Sequence, residues 1–483
     1  MKKIVLSLFL MVIAFGLSAK TAVIYHTSDT HGFFYPKNGQ GGFAALAAVL
    51  RQEKNPYLLV DAGDFAEGTA ETKNSKGIKA VQLMNKLHYQ AATIGNHEFA
   101  YYDDGLENML KQAQFSILAA NFFEADSYQR PAFVKPYQVF TVNGIKIAVI
   151  GLANRTPTKA TKKYTFTKPL DALEQALAQP EVKQADVVVV LAHDSLADDR
   201  PESPFYLGDI ARKYGQKVQI VLGGHAHKVF TNQRLNGVLY NEVGYYLKSV
   251  GKITIDVDDK TRQITSIQAQ LIPLTISKTG EDKKIKQYAE SLREPGLEKV
   301  LGTLAQPLPA KAVAPAQDSV ADDWVADIGR SYTKADVFIS NVGGVRTGLA
   351  AGPVTKRDLL DFFPFDDTLV SMNVDGRFIK QLVKKTLLPR NLLAYSGLTV
   401  TYKKNKKNQP KQVKILINGK PVENRKKYTL ATNSFLARGK HFQSIDSTDK
   451  QAVGQITMWQ LIEEALAKQS VSVPAAGRVI QLP

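Results

Sequence analysis

Of the eight histidines in the 483-residue chain, five stand in short polar turns directly after apolar runs: His31, His97, His193, His225 and His227. Asp29, Asp64 and Asn96 lie in the same turns. Asp29 and His31 are two residues apart, so in an extended segment they point the same way. A carboxylate and an imidazole converging like this suit a divalent ion such as zinc or manganese. Asp64 follows Gly63 at the end of another apolar run, where a carboxylate can bridge two ions. The stretch 91–98, Ala-Ala-Thr-Ile-Gly-Asn-His-Glu, ends in Asn96, a weak metal ligand, beside His97, an acid/base imidazole. As core such a segment would be poor, because its polar side chains would be left without partners. A single histidine of this kind is ordinarily a hydrogen-bonded polar residue and nothing more. Five in one recurring context are explained most economically by a dinuclear metal site.

The elements that must position these residues are legible as alternating strands and helices. Strands are expected at 22–26, 57–60, 145–152, 186–191 and 218–222, with helices at 42–51 and 78–87 between the early ones. The polar turns always follow the carboxyl end of a strand. That arrangement indicates an α/β sandwich with its site along one edge. From Lys252 the strands become polar and alternating, closing the first domain near Ile276.

At this length two domains are expected. Apolar and charged fractions of 44% and 22% are those of a folded globular protein rather than a disordered one. Met1-Lys2-Lys3 followed by an apolar run to Leu17 and then Ser18-Ala19 has the form of a secretory signal peptide, with cleavage after Ala19. The run is short for a membrane span. The chain has no cysteine, which excludes disulfides and lipid attachment at a cleavage-site cysteine. The expected location is therefore periplasmic or secreted. The net charge of +17 attracts anionic ligands in general, and Lys403-Lys404-Asn405-Lys406-Lys407 is most simply a solvated hairpin loop.

Five blocks of residues carry a resemblance to a known family. They are His26-Thr27-Ser28-Asp29-Thr30-His31-Gly32, Asp61-Ala62-Gly63-Asp64, Gly95-Asn96-His97-Glu98-Phe99, Ala192-His193-Asp194 and Gly224-His225-Ala226-His227. In order and spacing they resemble the calcineurin-like metallophosphoesterases, and more closely the exported 5′-nucleotidase and UDP-sugar hydrolase family. The resemblance covers essentially the whole mature chain. It implies that Asp29, His31, Asp64 and His227 hold one divalent ion and that Asp64, Asn96, His193 and His225 hold the other. It implies that His97 steadies the phosphoryl group and helps the leaving group depart. Family members usually continue Asn-His-Glu-Phe-Asp, the aspartate orienting the catalytic histidine. Here that position is Ala100, and Asp103 or Asp104 would have to fold back to replace it.

The resemblance also implies a 5′-nucleotidase C-terminal domain. Glycines beside Asn341 and Arg346, in Asn341-Val342-Gly343-Gly344-Val345-Arg346, suit close approach to an anion, and two aromatic residues could sandwich a flat ring. Phe365 and Phe435 fall where the family's base-stacking pair sits, and Asn341, Gly344 and Arg346 fall at its substrate contacts. After Phe435 most members read Gly-Gly-Asp-Gly-aromatic, whereas this chain has Arg438-Gly439-Lys440-His441-Phe442 and no acid. An upstream arginine expected before residues 318–327 is also missing.

The resulting expectation is an α/β protein in which a four-layer αββα sandwich precedes a smaller α/β substrate-binding domain. Its parts are a signal peptide at 1–19, a metallophosphoesterase domain at 20–277, a linker helix at 278–301 and a substrate-binding domain at 302–483. The expected activity is release of phosphate from nucleotides or related phosphate esters with two divalent ions (zinc, manganese or similar). The alternatives are a 2′,3′-cyclic nucleotide phosphodiesterase, a nucleotide-sugar pyrophosphohydrolase, or a catalytically feeble binder. No specific nucleic-acid partner and no membrane anchor in the mature chain are expected, and the chain is expected to be a monomer.

Overall fold

The computed structural model describes residues 19–159, 161–196, 207–310, 319–387, 393–405, 408–468 and 478–482. The expected leader therefore lies outside the described residues except for Ala19. Among the described residues no helix is long and apolar enough to cross a membrane. The chain divides into two compact units, one of residues 1–67 and 74–293, the other of 68–73 and 294–483.

The first unit is built on two sheets. One runs in the order Ile264–Pro273, Ser249–Asp258, Ala19–Thr27, Tyr57–Asp61, Ala91–Ala92, Ser116–Leu118, Val134–Lys135. The other runs Val229–Leu235, Val238–Val243, Ile220–Leu222, Val187–Ala192, Ile145–Leu152, Tyr137–Val142. The strands preceding the polar turns pair in parallel, 19–27 with 57–61 and 57–61 with 91–92 in the first sheet. In the second, 187–192 pairs in parallel with 145–152 and 220–222.

The central strands of both sheets are buried on two faces, and the alternation of side chains separates three cores. Ala22, Ile24, Val60, Ile147, Val149, Val189 and Leu191 meet between the sheets. Val23, Tyr25 and Leu59 turn outward against helices Phe43–Leu50 and Ile78–Lys86. Ala148, Ile150, Val188 and Val190 turn outward against helices Pro169–Leu177 and Leu207–Tyr214. The layers are thus helix, sheet, sheet, helix.

Where the sequence suggests a connecting helix over 278–301, the chain forms short helices Ile276–Thr279 and Lys283–Ser291. Ile285 and Ala289 of the latter join the first unit's core, and Asp282, the N-cap, pairs with Arg51. The apolar spacing Ile285, Tyr288, Ala289, Leu292 explains this, since it gives the helix one face to bury.

The second unit has a five-stranded sheet in the order Leu393–Ser396, Val337–Asn341, Lys427–Asn433, Thr368–Asp375, Gln451–Thr457. A four-stranded sheet runs Lys420–Pro421, Pro410–Ile417, Leu398–Lys404, Val479–Gln481. Helix Gly376–Thr386 packs Ile379, Leu382 and Val383 into one core with residues of both sheets. Helices Val320–Thr333, Lys356–Phe362 and Met458–Ala467 cover the other face of the five-stranded sheet. Capping boxes Thr355/Asp358 and Thr457/Gln460 start the last two. The segment 68–73 belongs to this unit: Lys73 Nζ donates to Asp366 Oδ1 at 2.5 Å and to the Pro364 carbonyl at 2.7 Å, and buried Glu71 pairs with Arg357.

Candidate metal centre

The parallel strands of both sheets end on the same edge, and their last residues pass straight into the polar turns. The first sheet delivers Asp29, His31, Asp64 and Asn96; the second delivers His193, His225 and His227. Three groups of side chains converge: Asp29, His31 and His227; His31, Asp64 and His97; Asp64, His193 and His225. Within each group the nearest donor atoms all lie within 4.8 Å of one another. Asp29, His31, Asp64 and His193 are almost wholly buried.

The backbone is bent to achieve this. Asp29, His31, Asp64, His225 and His227 all have φ between 48° and 77°, the left-handed region that costs a residue with a Cβ. Gly95 is required on other grounds: a Cβ there would collide with the Asp64 carboxylate. Glu98 ties the turns together, its two oxygens accepting from the backbone N–H groups of Asp64, Phe65, Ala66 and Gly95. Burial, and then the nearby Asp64, push the Glu98 carboxyl up to about 7.

Hydrogen bonds fix the tautomers of two rings. His31 Nδ1 lies 2.6 Å from the Glu67 carbonyl and His193 Nδ1 2.7 Å from the Ala62 carbonyl. A carbonyl only accepts, so each Nδ1 carries the proton and each Nε2 is left facing the site. His193 Nε2 is 3.0 Å from Asp64 Oδ2, His31 Nε2 is 3.1 Å from His227 Nε2, and His227 Nε2 is 3.4 Å from Asp29 Oδ1. A bare imidazole nitrogen and a carboxylate oxygen at 3.0 Å repel unless a positive charge lies between them. A divalent ion meets that need, and the N/O donor set fits one. Without an ion a proton does so: burial opposes charging of His193, but Asp64 overrides it and holds the imidazole up at about 10. The same pairing holds Asp64 well below the usual carboxylate range despite its burial, whereas burial raises Asp29 to about 6.

His225 Nδ1 and Asn96 Oδ1 lie 2.9 Å apart, completing the Asp64–His193 side. The ring of Tyr245 stacks on His227 with centroids 4.7 Å apart, fixing its plane. His97 sits at the edge of the cluster, its ring centroid 4.8 Å from that of His31 and its backbone N–H donating to Asp64 Oδ1 at 2.8 Å. Its Nδ1 is 2.7 Å from Glu67 Oε2. Asp103 and Asp104 do not reach this ring by any bond seen among the described residues: Asp103 accepts from the backbone of Lys162 and Lys163, and Asp104 pairs with the Lys163 ammonium. Sequence reasoning missed Glu67 and Tyr245, and it named Glu98 only as part of a motif.

In the second unit Asn341 ends a strand and accepts from the Asn433 amide at 2.7 Å, while Asn433 also caps the helix Ser434–Arg438. A Cβ on Gly344 would press on the Phe363 ring, which is core. Phe365 is half-buried, edge-on to Phe363, with the Arg346 guanidinium 5.8 Å from its ring centre. Phe435 is 44% exposed.

Residues 22–229 match the family model described as calcineurin-like phosphoesterase, and residues 300–445 match the one described as 5′-nucleotidase, C-terminal domain. The chain belongs to the 5′-nucleotidase family of metallophosphoesterases. As a member it is a metal-dependent phosphoester hydrolase. This metallophosphoesterase is 24% identical over 478 residues to a 5′-nucleotidase of Vibrio vulnificus, covering 86% of this chain and 84% of that protein. It is 25% identical over 437 residues to the endonuclease YhcR of Bacillus subtilis, covering 85% of this chain but 35% of that much longer protein. The crystal structure of a 5′-nucleotidase precursor from Thermus thermophilus has the same fold, with a TM-score of 0.82 at 22% identity over 96% of this chain and 99% of that one.

Proposed function

We propose that this metallophosphoesterase is an exported phosphohydrolase that uses two divalent ions to release phosphate from nucleotides or related phosphate esters. The observation that carries this reading is the pair of tautomer-fixed imidazoles, His31 and His193, whose Nε2 atoms face a carboxylate-lined site at one sheet edge. Asp29, His31, Asp64 and His227 would hold one ion and Asp64, Asn96, His193 and His225 the other, with Asp64 between them. Bound there, the ions supply neutralisation of phosphoryl charge and a lowered pKa for an attacking water. His97 Nε2 is the proton donor to the departing oxygen as the P–O bond breaks, and the water that adds its hydroxyl to phosphorus returns a proton to the ring. Asn341, Gly344 and Arg346 take the polar part of the substrate, and Phe365 and Phe435 flank a planar base.

The stretch Arg438-Gly439-Lys440-His441 carries two cations and no acid where related chains have a ribose-binding carboxylate. It favours substrates with an additional phosphate and gives no handle on a ribose diol. The test is a panel of nucleoside mono- and diphosphates, their 2′-deoxy forms, cyclic 2′,3′-nucleotides and nucleotide sugars, read by phosphate release after loading with manganese or zinc. AMP and dAMP should differ little in kcat/KM, and a second phosphate should help more at low salt than at high. Asp64→Asn should lose both metal and activity. Phosphate release by Asp64→Asn at the wild-type rate with full metal content would overturn the site assignment.

A further inference from the structure

We infer that Glu67 is the positioning residue for His97, taking over the task that an aspartate at position 100 performs in related chains. This deepens the phosphohydrolase reading and rests on it. Glu67 is 6% exposed, and its Oε2 lies 2.7 Å from His97 Nδ1. Its own backbone carbonyl accepts from His31 Nδ1 at 2.6 Å, so one residue fixes both the expected acid/base ring and the ligand ring packed edge-on against it.

Residue 100 lies in the 3-10 helix His97–Tyr101, where side chains three apart eclipse. A carboxylate at position 100 would therefore stand directly in line with the imidazole, but Ala100 is buried and offers nothing to it. The next acids along the chain are committed to Lys162 and Lys163. Glu67 reaches the ring from a different loop, three residues after Asp64. With Nδ1 donating to Glu67, Nε2 is the nitrogen left to face a phosphate ester. The carboxylate also fixes the plane from which a protonated Nε2 donates to a poor leaving group. A carboxylate has been moved from the helix that carries His97 to the loop beside it, and the ring's partner is kept.

The test uses the full chain loaded with zinc and compares wild type with Glu67→Ala, Glu67→Gln and Glu67→Ala/Ala100→Asp. Four quantities are read: metal stoichiometry, the His97 ring-nitrogen shifts in 15N-histidine-labelled protein, and kcat and KM on AMP and on p-nitrophenyl phosphate. In wild type His97 should keep its Nδ1 proton in every form of the ring. In Glu67→Ala it should become a mixture of tautomers, with kcat on AMP down on the order of 10- to 100-fold. KM and metal content should stay unchanged, and p-nitrophenyl phosphate, whose leaving group needs no proton, should be far less affected. Glu67→Gln keeps an acceptor oxygen and should fall between. Ala100→Asp in the Glu67→Ala background should restore both the tautomer and at least a tenfold share of the loss. Unchanged His97 shifts in Glu67→Ala, an equal loss on both esters, or a fall in metal content would overturn the assignment. If wild type released phosphate from no ester, the functional reading would fail, and the nitrogen shifts would still decide the Glu67–His97 pairing.

Discussion

Metal uptake should be coupled to the release of one proton from His193. In the metal-free protein that imidazole is held protonated up to about pH 10 by Asp64, against the opposing effect of burial. The Nδ1 proton is fixed on the Ala62 carbonyl, so the dissociable proton is the one on Nε2, where the ion must sit. The competition has a definite size. At pH 7, about three units below the imidazole's value, affinity is about a thousandfold below its alkaline limit, and it rises about tenfold per pH unit from 7 to 9. Below about pH 6, where Asp29 also takes up a proton, the dependence should steepen. The sign for stability follows from the raised value. Protonated His193 stabilises the metal-free fold fully below pH 6.5 and ceases to do so as pH rises through about 10. Titration calorimetry with zinc in two buffers of different ionisation heat counts the protons, and a competing chelator gives the affinity from pH 6.5 to 9. A pH-independent affinity with no proton released at pH 8 would refute the reasoning, as would an unchanged slope in His193→Gln.

Three further outcomes are expected. His97→Asn should keep its metal while kcat falls about a hundredfold or more, measured by phosphate release alongside metal analysis; metal loss would make His97 a ligand. Gly95→Ala places a methyl group against the Asp64 carboxylate and should cut metal occupancy sharply, with a melting temperature lowered in calorimetry. Glu71→Ala removes the buried partner of the part-buried Arg357, and should destabilise the second unit by about 3 kcal/mol in urea unfolding.

The sandwich and most of its site were legible because they rest on local pattern. Apolar runs such as Ile145–Leu152 and Val187–Ala192 are strands buried on both faces, and the polar pairs that follow them have no core reason to exist. What could not be read depends on contacts distant in sequence. Glu67 meets His97 thirty residues on, from a loop with no periodicity to signal a direction. Tyr245 is one aromatic among 19 tyrosines until its ring is seen on His227. The segment 68–73 carries too few residues to announce that it packs with residues nearly three hundred positions away. The stretch 283–291 was readable as a helix, but its burial in the first unit is decided by Arg51 and the core it meets.

The left-handed backbone at five candidate ligand positions has an evolutionary consequence. Each such residue carries a backbone strain of about 1 kcal/mol that glycine would avoid, partly offset by glycine's greater loss of chain entropy on folding. A lineage released from selection for catalysis would therefore lose little stability, in the absence of metal, where the half-buried His225 or His227 drifted to glycine, whereas buried Asp64 is held by its pairing with His193 and buried His31 by its bond to the Glu67 carbonyl. Decay of the chemistry would then begin in the turn that carries His225 and His227, and inactive descendants would be expected to keep the sandwich intact with glycines at 225 and 227.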